Sequence, residues 1–150
     1  MKTICIIQAR MGSTRLPGKV LMDLSGKTVL ERVIERVSLS KYIDEVIVAT
    51  TFLPIDLPIV QLCSGKNIRV YCGSEDDVLD RYYQPARLIK PDSIVRITAD
   101  CPLIDAAIID KVCELHYKNE NDYTANTNPP TFPDGLDTEI FTYQSLKIAW

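Results

Sequence analysis

The stretch Ile4-Cys5-Ile6-Ile7, followed at once by the loop 8–19, decides the fold of this chain. A short, uninterrupted apolar run is typical of a strand that is buried on both faces of a parallel sheet. Further strands of the same kind are predicted along the chain, and segments with helical periodicity separate them. These strands span Val46–Thr50, Ile68–Tyr71 and Ile94–Thr98. The alternation predicts an α/β fold with a mostly parallel sheet and helices on both faces.

Helices are predicted between the strands from apolar stripes and from the residues at their ends. Their expected spans are 29–37, from Asp56 or Leu57 to Gly65, 76–90, and from the capping residue Asp105 to about 118. Pro85 lies inside the third span, where a proline should kink or break a helix because it lacks a backbone N–H. The apolar stripe of the fourth helix excludes His116, which we expect at the surface or at the helix end. This stripe consists of Ile108, Ile109, Val112, Cys113 and Leu115.

Loops and turns are predicted after Asn119, because Asn, Asp, Pro and Gly are frequent there. The segment 138–142 could form another strand, and 145–150 begins a helix without a terminating Gly, Asn or Pro. We therefore expect a single domain over residues 1–150 that lacks its C-terminal portion.

Composition and charge exclude several classes of protein. The chain has 17 basic and 20 acidic residues and a net charge of −3, whereas general nucleic-acid binders are basic. No apolar run approaches the roughly 20 residues that cross a bilayer, and the N-terminus lacks a signal-peptide pattern. Five cysteines without a C-x-x-C spacing and a single histidine argue against a structural zinc site. We expect a cytoplasmic protein that binds neither nucleic acid nor membranes.

The loop after the first strand has the composition of an anion-binding site. Residues 1–22 contain basic side chains and no acid, which concentrates positive charge in this part of the chain. Glycines permit close approach of a ligand, and arginine binds phosphate with paired hydrogen bonds. The spacing fits neither a Walker A loop nor a G-x-G-x-x-G loop. A nucleoside triphosphate is the favoured ligand, and a solvated basic loop is the alternative. The residues concerned are Arg10, Gly12, Ser13, Thr14, Arg15, Gly18 and Lys19.

Acidic residues near strand ends are candidate metal ligands. Asp100 directly follows the fourth strand, at the sheet edge where ligands bind in this class of fold. A carboxylate there suits Mg²⁺, which also takes substrate phosphates, but spacing alone favours a turn or helix-capping Asp. Asp137 could be a second ligand or a polar residue at a strand edge. Asp80 and Arg81 could face the ligand or form surface salt bridges, and the spacing favours the salt bridges.

The segment 7–19 resembles the signature of the acidic-sugar cytidylyltransferases, which include the CMP-sialate and CMP-KDO synthetases. The matching residues are Gln8-Ala9-Arg10, then Ser13, and finally Pro17-Gly18-Lys19. The closer resemblance is to the family of the spore coat polysaccharide biosynthesis protein F. It extends to the blocks 73–82, 96–105 and 133–137, which follow one another in the order of that family.

The resemblance implies a Rossmann-like nucleotide-diphospho-sugar transferase fold. It also implies transfer of CMP from CTP to a sugar, expected to be acidic, with Mg²⁺ and release of pyrophosphate. Such an enzyme would act in surface or spore-coat polysaccharide biosynthesis, and a homodimer is compatible with it. Asp100 is implied as a metal ligand and Asp137 more loosely. Nucleotide contacts are implied for Gln8, Ala9, Arg10, Gly12, Ser13, Arg15, Lys19, Arg81 and Thr98, with Arg10, Lys19 and Asp100 as the catalytic candidates.

Two alternatives to this function remain open from the sequence. A glycosyltransferase that uses a nucleotide-sugar donor has the same fold, but the chain lacks a clear Asp-x-Asp pair after a strand. A truncated, inactive module that binds CTP without turnover is the alternative from a different class. Release of pyrophosphate would distinguish a cytidylyltransferase from both.

Overall fold

The computed structural model describes all 150 residues, Met1–Trp150. The strands are β1 (Thr3–Gln8), β2 (Glu45–Thr51), β3 (Arg69–Gly73), β4 (Ser93–Thr98), β5 (Tyr123–Ala125) and β6 (Glu139–Thr142). The helices are α1 (Val29–Val37), α2 (Leu57–Gly65), α3 (Val78–Ile89), α4 (Ala106–Lys118) and α5 (Tyr143–Ala149). Short 3₁₀ turns lie at Lys19–Leu21 and Pro54–Asp56. A helix with the length and hydropathy of a bilayer span is absent.

All six strands belong to one sheet with the order β3-β2-β1-β4-β6-β5. β1 pairs in parallel with β2 and with β4, and β2 pairs in parallel with β3. β6 is antiparallel to both of its neighbours, β4 and β5. The mostly parallel sheet predicted from the sequence is therefore confirmed.

The strand order reverses beside β1. The chain runs outward from β1 through β2 to β3 and then returns to β4 on the other side of β1. Gln8, the last residue of β1, lies opposite Thr98, the last residue of β4. The loop 8–19 after β1, called the basic loop from here on, and the segment that carries Asp100 therefore leave the sheet side by side. In open α/β sheets, ligands bind at this switch point, outside the carboxyl ends of the strands.

Helices cover both faces of the sheet, as the alternating pattern predicts. On one face, α1, α2 and α4 contribute to a cluster of 19 buried residues that includes Cys5 and Ile7 of β1. On the other face, α3 and α5 contribute to a cluster of 9 buried residues that includes Ile4 and Ile6. Because successive side chains of a strand point to opposite faces, a strand covered on both sides must be apolar throughout.

The expected break at Pro85 does not occur. α3 is 12 residues long, from Val78 to Ile89, and contains Pro85 in its interior. The proline ring is buried together with Tyr82, Tyr83 and Ala86, and these three neighbours belong to the cluster that covers the sheet. Packing of an apolar face provides most of the stability of a helix in a protein, so the missing backbone hydrogen bond is tolerated.

The region after Asn119 contains more strand than the sequence predicts. β5 pairs in an antiparallel register with β6, which itself lies within the predicted segment 138–142. A strand of three residues is too short for its hydrophobic periodicity to be recognised. Turn residues flank this strand, and they dominate the local sequence pattern.

His116 lies in the last turn of α4, at the predicted helix end, but the alternative that it lies at the surface is wrong. Its side chain is 2% exposed, and its two ring nitrogens lie 3.3 Å from the hydroxyls of Ser93 and Thr124. Leu115, which the predicted stripe included, is instead 50% exposed. The buried face of α4 consists of Ile109, Val112, Cys113 and His116, at the i, i+3, i+4, i+7 spacing of a helix.

Burial of His116 predicts that folding stability depends on pH. Burial disfavours the charged imidazole and lowers the pKa of His116. In the unfolded chain the pKa is about 6.5, so below that pH the unfolded state binds more protons than the folded state. We expect the free energy of unfolding to fall as the pH drops through about 6.5, by up to about 1.4 kcal/mol per pH unit. Urea unfolding of the parent and of His116→Gln measures this, and equal pH slopes would contradict it.

Candidate active site

A cavity of about 290 Å³ opens at the carboxyl ends of β1 and β4. Its walls come from the basic loop and from the end of β4, so cationic side chains and a carboxylate share one space. The lining residues are Gln8, Arg10, Ser13, Thr14, Arg15, Lys19, Val20, Thr98, Ala99 and Asp100. The fold thus brings most of the predicted site residues together. Those that do not line the cavity are Ala9, Gly12, Arg81 and Asp137.

The basic loop closes around the peptide group of Met11. The carbonyl oxygen of Met11 accepts hydrogen bonds from the backbone N–H groups of Ser13 and Gly18, both at 2.9 Å. Gly18 has a φ of +72°, in the left-handed region that favours glycine. A 3₁₀ turn then begins at Lys19. These contacts turn the chain back so that Lys19 reaches the ends of the strands.

Lys19 and Asp100 form an ion pair across the cavity. The ammonium group of Lys19 donates a hydrogen bond to Oδ2 of Asp100, which joins the loop after β1 to the end of β4. Burial alone would raise the pKa of Asp100, but hydrogen bonds from Lys19 and Thr98 outweigh burial and lower this pKa below its ordinary value. Asp100 is therefore ionised at neutral pH, which is the form that binds a cation.

Two arginines add positive charge at the mouth of the cavity. Nη1 of Arg10 lies 3.8 Å from Oε1 of Glu75, and both side chains are about half exposed. Arg15 is exposed on the same wall. Exposed ion pairs contribute little to stability, so Arg10 can exchange Glu75 for a phosphate at small cost.

Arg81 is buried beneath the site, and the expected surface salt bridge is wrong. Its side chain is 3% exposed, and Nη1 donates hydrogen bonds to the carbonyl groups of Ser74 and Glu75. Nη2 donates to Oε1 of Gln8 at 2.9 Å. Burial, and then the charge of Arg10, lowers the pKa of Arg81. The guanidinium thus orients Gln8, whose side chain lines the cavity, and direct contact of Arg81 with a nucleotide stays a prediction.

Gly73 leaves the space that Arg81 occupies. A Cβ atom on Gly73 would lie 2.8 Å from Cγ of Arg81 and 3.0 Å from the ring of Tyr71. We expect Gly73→Ala to lower the free energy of unfolding by about 1–3 kcal/mol, because the buried Arg81 stem must move. Urea unfolding checks this. Gly65→Ala is the matched control, because a Cβ there meets no atom within 4 Å and stability should not fall. Equal stability of the two variants would contradict the prediction.

Ala9 and Gly12 are the remaining predicted nucleotide-binding residues of the loop. The side chain of Ala9 belongs to the core, and its N–H donates to the carbonyl of Ala49 at 3.0 Å. Gly12 is exposed, and a Cβ atom there would lie 3.9 Å from Oε1 of Glu75. Neither residue offers a side chain to a ligand, so their nucleotide contacts stay predictions about the backbone.

The carboxylates near Asp100 suit a metal that is shared with a substrate. Oδ1 of Asp100 lies 3.8 Å from the Cys101 thiol. Burial raises the pKa of this thiol, a hydrogen bond with Thr98 offsets part of that rise, and the charges of Asp100, Asp137 and Asp134 raise the pKa further. No three metal-ligating side chains converge anywhere in the chain. Mg²⁺ is commonly held by one or two carboxylates plus substrate phosphates, so Asp100 at the cavity wall fits such a shared site, and Asp137 as a second ligand stays a prediction.

Asp56 is a residue of the site region for which the sequence predicts only a helix end. Its carboxylate makes no capping hydrogen bond to α2. It accepts a hydrogen bond from the backbone N–H of Met11 in the basic loop instead, at 2.6 Å. The available signal was an Asp between Ile55 and Leu57, since a carboxylate in an apolar stretch needs a partner.

Comparison with known proteins identifies the family. The sequence pattern of the cytidylyltransferase family matches residues 4–150. This chain belongs to the cytidylyltransferase family. The resemblance predicted from the loop 7–19 is thereby confirmed, together with the fold that it implies.

Three relatives illustrate the similarity to other members of the cytidylyltransferase family. The spore coat polysaccharide biosynthesis protein SpsF of Bacillus subtilis is 39% identical over 129 residues, which are 83% of this chain and 54% of SpsF. The 3-deoxy-manno-octulosonate cytidylyltransferase of Thermodesulfovibrio yellowstonii is 41% identical over 129 residues, 81% of this chain and 50% of that enzyme. The solved structure of a cytidylyltransferase from Leptospira borgpetersenii superposes with a TM-score of 0.93 at 39% identity. That superposition covers 99% of this chain and 63% of the other. The chain thus spans about half to three fifths of the length of these relatives.

Proposed function

We propose that this chain acts as a CTP-dependent cytidylyltransferase that transfers CMP to an acidic sugar and releases pyrophosphate. The observation that carries the proposal is the convergence of Arg10, Arg15 and Lys19 with Asp100 in one cavity at the switch point of the sheet. A nucleoside triphosphate is a strong anion, and these cations match its charge. Membership of the family supports cytosine as the base.

The residues of the cavity suit phosphoryl transfer by positioning and charge. The oxygen of a sugar hydroxyl would form a bond to the α-phosphorus of CTP, and the bond from that phosphorus to the pyrophosphate oxygen would break. The hydroxyl proton would pass to solvent water. Negative charge develops on the leaving pyrophosphate, where Lys19 and Arg15 would stabilise it. Arg10 and Ser13 would hold the remaining phosphate oxygens and orient the α-phosphorus.

Asp100 is the residue that we propose as the principal ligand of Mg²⁺, with Asp137 as a second candidate. The ionised state of Asp100 and its place at the cavity wall support this role. Mg²⁺ bound there would supply Lewis-acid polarisation of phosphate oxygens. Lys19, which contacts Asp100 across the cavity, would add a second positive charge beside the same phosphates.

One named relative supports an acidic sugar, and another supports a role in polysaccharide synthesis. One of them is a 3-deoxy-manno-octulosonate cytidylyltransferase, and another is a spore coat polysaccharide biosynthesis protein. We therefore propose a role in the synthesis of a surface or spore-coat polysaccharide, with a keto-acid sugar as the first acceptor to test.

Calorimetry tests the nucleotide preference directly. CTP, UTP, GTP and ATP are titrated into the folded protein with and without Mg²⁺. We expect Mg²⁺-dependent binding with preference for CTP, and absence of binding to every nucleotide would overturn the proposal. Pyrophosphate release is then measured with CTP and a panel of acidic sugars. If the protein binds CTP but releases no pyrophosphate from it with any of these sugars, the inactive module is favoured instead.

A further inference from the structure

We propose that Asp56 is a positioning residue that holds the basic loop in the shape needed to bind a triphosphate. The inference rests on the proposed function, because it assigns a support to the same site. Asp56 lies 45 residues from its partner Met11 in the sequence and outside the predicted signature 7–19. Its carboxylate lines no part of the cavity.

The carboxylate of Asp56 is buried, and each of its two oxygens accepts a hydrogen bond. The residue is 1% exposed, at the end of the 3₁₀ turn that follows β2. Oδ1 accepts a hydrogen bond from the backbone N–H of Met11 at 2.6 Å, and Oδ2 accepts one from the hydroxyl of Thr51. Thr51 is itself 2% exposed and accepts a hydrogen bond from the N–H of Leu53 at 3.1 Å. A buried carboxylate is costly unless it is paired in this way, so its partners are held firmly.

Met11 is the residue through which Asp56 acts on the loop. The Met11 N–H is held by Asp56, and the Met11 carbonyl accepts from the N–H groups of Ser13 and Gly18. One peptide segment therefore ties the start of the loop to its end, directly before Lys19. Without the carboxylate, the Met11 N–H has no acceptor, and the turn that presents Ser13 and Lys19 loses its anchor.

Asp56 also supports the charge of Arg81. Its negative charge favours the protonated guanidinium of Arg81, which burial disfavours. Arg81 in turn donates to Gln8 at the cavity wall. Asp56→Asn separates the two effects, because an amide oxygen can still accept from Met11 while the negative charge is removed. Asp56→Ala removes both.

Asp110 provides a matched control. Its Oδ1 accepts from the hydroxyl of Ser40 at 2.6 Å and from the backbone N–H of Lys41 at 3.0 Å. Asp110 lies in α4 and makes the same kind of contacts as Asp56, with a hydroxyl and a backbone N–H. Its partners belong to the loop between α1 and β2, which does not line the cavity. Asp110→Ala removes a similar support at a position away from the cavity.

The test measures loop order and anion binding in the parent, Asp56→Ala, Asp56→Asn and Asp110→Ala. Amide hydrogen exchange reports on Ser13 and Gly18, and calorimetry gives the dissociation constants of inorganic tripolyphosphate and of CTP with Mg²⁺. We expect Asp56→Ala to speed exchange at both amides and to weaken both ligands by about 10-fold. Asp56→Asn should stay within about threefold of the parent, as expected for a retained hydrogen bond. Asp110→Ala should match the parent.

Each outcome decides the proposal. Unchanged exchange at Ser13 and Gly18, or unchanged tripolyphosphate binding, in Asp56→Ala would overturn it. Equal weakening by Asp110→Ala would also overturn it, because the effect would then be general destabilisation. Failure of the proposed function is distinguishable, since the parent would then bind tripolyphosphate without preferring CTP. A parent that binds neither ligand would also overturn it, because the loop would then have no triphosphate-binding shape for Asp56 to hold.

Discussion

Asp100→Asn is expected to lower pyrophosphate release by about 100- to 1,000-fold, the usual cost of losing one group that stabilises charge in a transition state. Asparagine has the size of aspartate but is a poor ligand for Mg²⁺, which prefers charged oxygen. The fold should be retained, because the Asp100 carboxylate lies at the cavity wall and not in either core. The measurement is the rate of pyrophosphate release from CTP and an acidic sugar over a range of Mg²⁺ concentrations.

Binding of CTP without Mg²⁺ separates a metal-ligand role from a general effect of Asp100. Asp100 pairs with Lys19, so its neutral variant frees Lys19 for a phosphate. CTP binding in the absence of Mg²⁺ should therefore be retained in Asp100→Asn. The control is Asp92→Asn at the opposite end of β4, where Asp92 accepts from the N–H of Lys2 at 2.6 Å. An unchanged Mg²⁺ dependence in Asp100→Asn would remove this residue from the metal site.

Lys19→Ala and Arg15→Ala are each expected to weaken CTP binding by roughly 10- to 150-fold. A hydrogen bond to a charged group contributes about 1.5–3 kcal/mol, and about 1.4 kcal/mol corresponds to a factor of ten. Calorimetry with CTP and with cytidine measures the effect, and only CTP should be affected because cytidine has no phosphate.

A lysine away from the cavity controls for the loss of positive charge as such. Lys27 pairs with Glu35 on the surface, so Lys27→Ala changes the net charge by the same amount. It should bind CTP like the parent, since exposed charges are screened by salt. If Lys19→Ala and Arg15→Ala also bound CTP like the parent, the loop would not be the phosphate site.

Local sequence patterns were sufficient for the framework of this protein. The alternation of apolar runs and helical stripes predicted β1 to β4 and α1 to α4, because side-chain periodicity directly reports which faces are buried. Composition predicts that the loop after β1 binds an anion, and the order of its residues resembles the cytidylyltransferase signature. The sheet-edge position of Asp100 followed from its place after β4, since parallel strands end at a common edge.

Tertiary contacts decided the features that have no local pattern. β5 exists because β6 pairs with it. His116 is buried because α4 turns residue 116 toward the core and hydroxyls of two strands meet its ring. Asp56 reaches Met11 only because β1 and β2 are neighbours in the sheet. Sequence alone thus determined the elements and the chemistry of the loop, whereas polar contacts between distant segments depend on the folded arrangement, because periodicity reports burial but not partners.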